Sequence, residues 1–424
     1  MKTTPLWWDD ALSLDLSEQM LPKSVDVLII GSGYTGLNAA IQTARAGRST
    51  LVIDAEDAGW GCSTRNGGQV SMGVKPSYAE LIKKYDKQKA ISILQEGHNS
   101  LEWIKSFVAD EEIDCDFQHA GHFDGAHNSR AFKEICASVK ESSPGPKPEA
   151  HIITKAELRT EIGTDSYFGG VVYPEDASLH PAKYHSGLVK KAIAAGVSII
   201  PNCKALDIER SATDSSLVST EKGKISVAKV ILATNGYTGN LLPWLQRRII
   251  PIGSCIISTE ELPKEQIDRL MPTQRNICDT RKVVYYYRTS PDRKRIVFGG
   301  RVAAGEIAPE HGAPLLKRDL VGLFPELSAV EISHSWSGFV AFTFDELPHI
   351  GEYKGVHFAT GYCGSGVAMS SYLGLKLGQQ VLGLKGGNTA FDGLKFQTRP
   401  LYTGKPWFLP PMVQYYKWWD RQNW

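Results

Sequence analysis

The stretch VDVLIIGSGYTG at residues 25–36 decides the fold. Val25, Val27, Leu28, Ile29 and Ile30 make a continuous apolar run, the pattern of a strand buried on both faces. The run ends in a G-x-G-x-x-G turn holding Tyr34 and Thr35. Gly31 permits the sharp bend, Gly33 lets the backbone approach a pyrophosphate, and Gly36 lets the next helix pack close on the strand. The spacing predicts a helix from Leu37 to Ala46, with free N–H groups and a positive dipole end aimed at phosphates. Gly47 stops it, and residues 50–53 form a second strand. Asp54 closes that strand eighteen residues after Gly36, where an acid can hydrogen-bond a ribose hydroxyl. Strand, helix, strand and acid in this register predict a dinucleotide-binding βαβ unit. The acid argues against a 2′-phosphate, so FAD or NAD fits better than NADP.

The rest of the composition narrows the class. A chain of 424 residues is long enough for two or three domains with ample cores. A formal net charge of +1 gives no electrostatic reason to expect a nucleic-acid partner. No apolar stretch approaches the roughly 18–20 residues that span a bilayer, so no transmembrane segment is expected. The N-terminal Trp7, Trp8, Asp9 and Asp10 are unlike a basic signal peptide and imply a cytoplasmic protein. Seven cysteines (62, 115, 136, 203, 255, 278 and 363) lie scattered without a C-x-x-C pair. That suits reduced thiols, and no metal site is expected. Residues 142–148, SSPGPKP, read as a linker. The C-terminal end is aromatic, with Trp407, Phe408, Tyr415, Tyr416, Trp418, Trp419 and Trp424, and is expected to pack on the protein's own surface rather than in a membrane interface.

Distant segments choose between the dinucleotides. A nicotinamide dehydrogenase would follow Asp54 with another βαβ repeat. This chain instead has GWGCSTRNGGQ at 59–69, in which Ser63, Thr64, Arg65, Asn66, Gly67, Gly68 and Gln69 can thread past a bulky ring system and hydrogen-bond it. The run 230–233 reads as another buried strand, ending at Thr234, Asn235 and Gly236. Residues 356–360 form a strand entering GYCGSG at 361–366, and a helix begins near Val367. Gly361, Gly364, Ser365, Gly366 and Val367 thus make a second glycine-rich helix start, whose partial positive charge suits an anion on a flavin's pyrimidine edge.

These blocks, with the Trp7–Trp8 pair, YPED at 173–176, IVFGGR at 296–301, WSGF at 336–339 and DELPHIG at 345–351, cover nearly the whole chain. Together they resemble the D-amino-acid-oxidase-like superfamily of FAD-dependent amine oxidoreductases, and within it the gamma-glutamylputrescine oxidase-like proteins. The resemblance implies an α/β fold: a Rossmann-like FAD-binding domain with an inserted antiparallel-sheet substrate domain. The FAD domain is expected from residues 1–88, 152–240 and 336–390, the substrate domain from 89–151 and 241–335, and the aromatic tail from 391–424. Ala205 joins the expected cofactor-binding residues. Residues 283–288, the turn 290–293 and residues 295–298 read as a hairpin roofing the flavin.

The implied chemistry is oxidation of a C–N bond in a small-molecule amine, giving an imine that hydrolyses to a carbonyl product. Only the neutral amine gives up a hydride readily, and an apolar, aromatic pocket favours that form. Strand alternation puts Tyr285 and Tyr287 on one face and Tyr286 on the other, and Tyr286 is expected to meet substrate. His180, Arg301 and Trp336 are the other candidate catalytic residues; a structural histidine and structural arginine ion pairs are the competing readings. In monomeric sarcosine oxidases a cysteine holds FAD covalently; here Gly338 stands at the apparent place, which implies non-covalent FAD. A lysine that clamps the substrate carboxylate in those enzymes is replaced by Ala368, pointing away from small free amino acids. Their oxygen-activating lysine is matched by Val297, which leaves oxygen or another electron acceptor open. A deaminating or demethylating amino-acid dehydrogenase feeding a quinone, and a non-catalytic flavoprotein subunit, remain the alternatives. The first turn alone would also allow an NAD-linked dehydrogenase.

Overall fold

Strand Ser24–Ile30 lies inside a parallel sheet because alternate side chains bury on opposite faces. Leu28 and Ile30 pack with Leu51, Ile53, Val230 and Leu232, while Val27 and Ile29 pack on the other side with Leu37, Ile41 and Leu373. In the computed structural model, which describes residues 1–11, 16, 19–141, 144–210 and 215–422 apart from the Arg301 side chain, this strand pairs in parallel with Thr50–Ile53 and Gly223–Leu232. Ser198–Ile200 and Val356–Thr360 extend the parallel array, and His349–Tyr353 adds an antiparallel edge. Ser142, Ser143 and Trp424 of the expected linker and tail lie outside the described residues.

Two helices pack together on this sheet, the N-terminal turn of the first lying against the middle of the second. The first spans Tyr34–Arg45 and begins three residues before the expected Leu37, because Gly33 itself adopts the extended cap conformation. A Cβ on Gly36 would stand 2.0 Å from the Gly31 carbonyl oxygen, so only glycine allows the helix this close to the strand. The second helix, Gly366–Val381, crosses the first through Gly374 and Gly378, where added Cβ atoms would come within 2.5 Å of the Thr35 oxygen and 2.9 Å of the Ala39 oxygen. The Tyr362 and Thr35 hydroxyls, 2.6 Å apart, tie the two glycine turns together.

An eight-stranded second sheet covers the ends of these helices. Its order is Ile332–Phe342, Ile250–Thr259, Ile296–Ala303, Tyr286–Thr289, Asn276–Asp279, His122–Gly125, Gly170–Tyr173 and His151–Ile153. The expected hairpin is present: Tyr286 pairs with Gly299 and Arg288 with Val297, and Ser290 N–H closes the turn on the Arg295 oxygen at 2.9 Å.

Sheet membership departs from the sequence boundaries in three places. Helix Lys87–Asp110 buries Ile93, Leu101 and Ile104 in the core of the parallel layer, although residues 89–151 were expected in the substrate domain. His151–Ile153 and Gly170–Tyr173 pair within the second sheet rather than the FAD layer. Ile332–Phe342 does the same, pairing with Ile250–Thr259 from Ile250↔Phe342 to Thr259↔Ile332. In each case long-range pairing or packing outweighs proximity along the chain. Helix Leu409–Asp420 lies on the second sheet, with Leu409 and Val413 buried beside Val283. Among the described residues no helix is long and apolar enough to cross a membrane.

Candidate active site

A cavity of about 1290 Å³ opens between the two sheets. Gly31, Gly33, Tyr34 and Thr35 line it from the first glycine turn, and Gly364, Gly366 and Val367 from the second. Asp54, Thr234 and Asn235 line it from beyond the ends of the parallel strands, and Ala205 from the start of the antiparallel strand Ala205–Arg210. Neither helix N-terminus has a side-chain cap. Every other helix of twelve or more described residues has such a cap or a proline in its first turn: Asp86, Asn128 and His180 cap three, and two more carry prolines there. The Tyr34 N–H donates to the Ser63 hydroxyl at 3.0 Å; the remaining uncapped first-turn N–H groups need acceptors, and Thr35, Gly366 and Val367 line a cavity large enough for a dinucleotide. The donor set therefore fits FAD. The Asp54 carboxylate also fixes the turn, accepting Ser32 N–H at 2.7 Å and Ser32 O–H at 2.6 Å.

The loop at 59–69 contributes Ser63, Arg65, Asn66, Gly67 and Gln69 to the lining. Three indoles pin its backbone and side chains. Trp7 Nε1 donates to the Asn66 oxygen, Trp336 Nε1 to the Arg65 oxygen and Trp8 Nε1 to the Thr64 hydroxyl, each at 2.8 Å. Arg65 stacks 4.1 Å from the Trp60 ring centroid and donates to the Ser337 oxygen at 3.1 Å. The Trp7–Trp8 pair is thus part of the site's scaffold, a role the sequence signalled only through the resemblance.

Six of the expected cofactor residues do not line the cavity, and each has a packing role instead. Gly36 faces the strand. Thr64 donates to the Gly59 oxygen at 2.7 Å. A Cβ on Gly68 would lie 2.2 Å from the Leu179 oxygen, one on Gly236 3.0 Å from Phe339 Cβ, and one on Gly361 2.3 Å from Thr343 Cγ2. Ser365 sits against Gly73, whose added Cβ would meet it at 2.4 Å.

The catalytic candidates separate more sharply. Tyr286 lines the cavity, with its hydroxyl 2.9 Å from that of Ser254, and burial pushes its pKa up so that it stays neutral. Tyr287 points away into the apolar core. His180 does not reach the cavity: it is 1 % exposed, caps helix Pro181–Ala194 through Nδ1, and meets the Trp7 ring edge-on at 5.1 Å. Burial pushes its pKa down to about 4, so it is neutral. Trp336 is likewise walled in, fully buried against Trp7. The Arg301 side chain lies outside the described residues. Among the described residues Arg288 makes no ion pair; its Nη1 donates to the Gly68 and Leu179 oxygens at 3.1 and 3.0 Å. Val297 packs against Trp7 and Trp336, and Gly338 lines the cavity. Burial raises the pKa of the lining thiols Cys62 and Cys363 to about 11 and about 12, leaving both protonated.

Beyond Tyr286 the wall is polar at Gln69, Cys278, Asp279 and Arg281. Burial pushes the Asp279 carboxyl up to about 6, opposed by Arg281, which donates to it. Behind Cys278, His122 lies between Asp124 (3.0 Å) and Asp176 (3.3 Å). Burial works against its charge, but Asp124 and Asp176 outweigh that and hold its pKa well above the ordinary value. His122, Asp124 and Cys278 place ligand atoms within 4.8 Å of one another, the only such group among the described residues. A cation would compete there with the proton on His122. Sequence spacing could not show this cluster, because strands His122–Gly125 and Asn276–Asp279 meet only through parallel pairing.

The family described as DAO, FAD dependent oxidoreductase, matches residues 26–380. The probable oxidoreductase OrdL of Haemophilus influenzae is 30 % identical over 407 residues, covering 93 % of this chain and 92 % of its own length. The gamma-glutamylputrescine oxidoreductase of Escherichia coli is 27 % identical over 379 residues, 89 % of this chain and 87 % of its own. Among solved structures, glycine oxidase from Geobacillus kaustophilus superposes with a TM-score of 0.73 at 18 % identity, covering 89 % of this chain and 99 % of that one. That last likeness is one of fold.

Proposed function

Because the chain belongs to the DAO family of FAD dependent oxidoreductases, we propose that it oxidises the C–N bond of an amine to an imine, which hydrolyses to a carbonyl product. The observation that carries this reading is the continuity of one cavity, from two uncapped helix N-termini to a chamber beside Tyr286. FAD, when bound, supplies the acceptor for the hydride, and with it the two electrons, that leaves the carbon beside nitrogen. The amides of Gly33 and Thr35 would hold its pyrophosphate, Asp54 its ribose, and Ser63, Arg65, Asn66, Gly67 and Gln69 with the amides at 366–367 its ring system.

The protein's own residues prepare the amine. Ile252, Ile256, Val283 and Val302 line the chamber with apolar surface, which disfavours an ammonium ion and leaves the nitrogen lone pair available. The Tyr286 hydroxyl, neutral and held by Ser254, offers one hydrogen bond to orient the amine or the departing product. Position 368 is a buried alanine, which cannot clamp a small amino acid's carboxylate. Together with the 27 % identity to a gamma-glutamylputrescine oxidoreductase, this supports a gamma-glutamylputrescine-like or other N-substituted amine over glycine or sarcosine. The seven cysteines are all free thiols, which supports a cytoplasmic location.

Anaerobic mixing with gamma-glutamylated amines, polyamines, N-methyl amino acids and D-amino acids tests the reading through flavin bleaching. Gamma-glutamylated amines are expected to bleach the flavin fastest. Bleaching by none of the four classes would overturn the amine assignment. Admitting air afterwards and measuring peroxide separates an oxidase from a dehydrogenase that feeds a quinone.

A further inference from the structure

We infer that the C-terminal helix Leu409–Asp420 forms an apolar subsite for the part of the amine beyond its reacting C–N bond, a step that rests on the amine reading above. Met412, Val413 and Tyr416 line the same cavity as Tyr286, and Ile252, Val283 and Val302 stand across from them. Apolar side chains therefore form this part of the wall, with Asp279, Arg281 and Lys282 lining the cavity beside Val283. Arg281, two residues before Val283, is engaged by the Asp279 carboxylate, and Lys282 is exposed to solvent. The subsite thus suits an uncharged stretch of the substrate, such as the methylene chain of a putrescine-like amine.

The helix is fixed in place by contacts on both sides of that wall. Leu409 and Val413 are buried with Val283. The Asp420 carboxylate accepts the backbone N–H groups of Lys282 at 2.8 Å and Val283 at 3.1 Å. Asn128 Nδ2 donates to the Gln422 oxygen at 3.3 Å, and the Arg130 guanidinium lies 5.4 Å from the Trp419 ring centroid. These anchors set which face of the helix meets the cavity. Tyr416 is half-buried on the inward side, whereas Trp407, Tyr415 and Trp418 are exposed. The unbranched Met412 side chain can adjust to chains of different shape.

The test uses the flavin-loaded protein and unbranched alkylamines from ethylamine to octylamine, with binding read anaerobically from the change in flavin absorbance. Affinity is expected to rise roughly fourfold per added methylene until the subsite is full. Met412→Trp fills the space, and the ratio of octylamine to ethylamine affinity should fall at least tenfold. If that variant does not retain flavin, Val302→Phe narrows the subsite from the opposite wall and is read by the same ratio. An affinity independent of chain length in the parent, or a ratio unchanged in the filled variant, overturns the inference. The readout is binding, so it stands apart from the reaction: failure of every amine to bleach the flavin would sink the amine reading while the chain-length ratio still decides the subsite.

Discussion

His180 illustrates how a residue that looks catalytic in sequence can act through the fold instead. Its Nδ1 accepts Lys183 N–H at 3.2 Å as a helix cap, which requires the neutral ring, and burial lowers its pKa from 6.5 to about 4. The folded protein therefore binds the proton less readily than the unfolded chain does. Stability is complete above the unfolded value and is lost as pH falls from about 6.5 toward 4. A shift of that size corresponds to roughly 3 kcal/mol at most. His180→Asn keeps a good capping group and removes the titration. The variant is expected to lie within about 1 kcal/mol of the parent at pH 7 and to lose less stability on acidification. Urea midpoints at pH 7 and pH 5 check this; an equal acid loss in both proteins would place the sensitivity elsewhere.

At the scale of the element, the loop at 59–69 has almost no regular structure of its own: the short helix Cys62–Arg65 and the strand Gln69–Val70 are its only elements. Its shape comes from hydrogen bonds within it and from donors outside it. Trp7, fully buried, holds the Asn66 oxygen, and the Asn66 side chain in turn accepts Gly68 N–H at 2.8 Å. Trp7→Phe keeps most of the ring but strands a buried carbonyl, which costs about 1–3 kcal/mol. The melting temperature should drop and FAD should dissociate more readily, since Ser63, Arg65 and Gln69 depend on the same loop; an unchanged FAD affinity in a destabilised variant would show that the loop does not carry the cofactor. This dependence marks what the sequence could show. Both glycine turns were legible because strand, turn and helix are contiguous in each, and the Tyr286 face followed from alternation of period two. The indole contacts were not, because Trp7 and Trp336 lie 59 and 271 residues from their acceptors. The same reason hid the His122–Cys278 cluster, the sheet membership of Ile332–Phe342 and the inward face of the C-terminal helix. Packing at long sequence separation leaves no local period to read.

Across the whole molecule the cavity belongs to both layers at once. Gly31, Ala233 and Tyr362 reach it from the parallel sheet and its turns, while Ser254, Tyr286 and Gly338 reach it from the second sheet. A cofactor held there adds contacts to each layer, so neither can unfold without releasing it. Ligand at a hundred times its Kd stabilises the native state by about 2.7 kcal/mol. For a chain of 424 residues the unfolding entropy is about 0.9 kcal/mol/K, so the melting temperature should rise by about 3 °C. Calorimetry with increasing FAD is expected to show one transition that moves upward as a whole. The protein also has separate apolar cores in the two layers, which permits a different outcome. Two transitions, of which FAD moves only one, would mean that the parallel layer binds the cofactor alone and that the second sheet merely roofs it. In that case Tyr286 and the C-terminal helix would meet substrate without gripping the cofactor, and their variants would alter amine binding while leaving FAD affinity untouched.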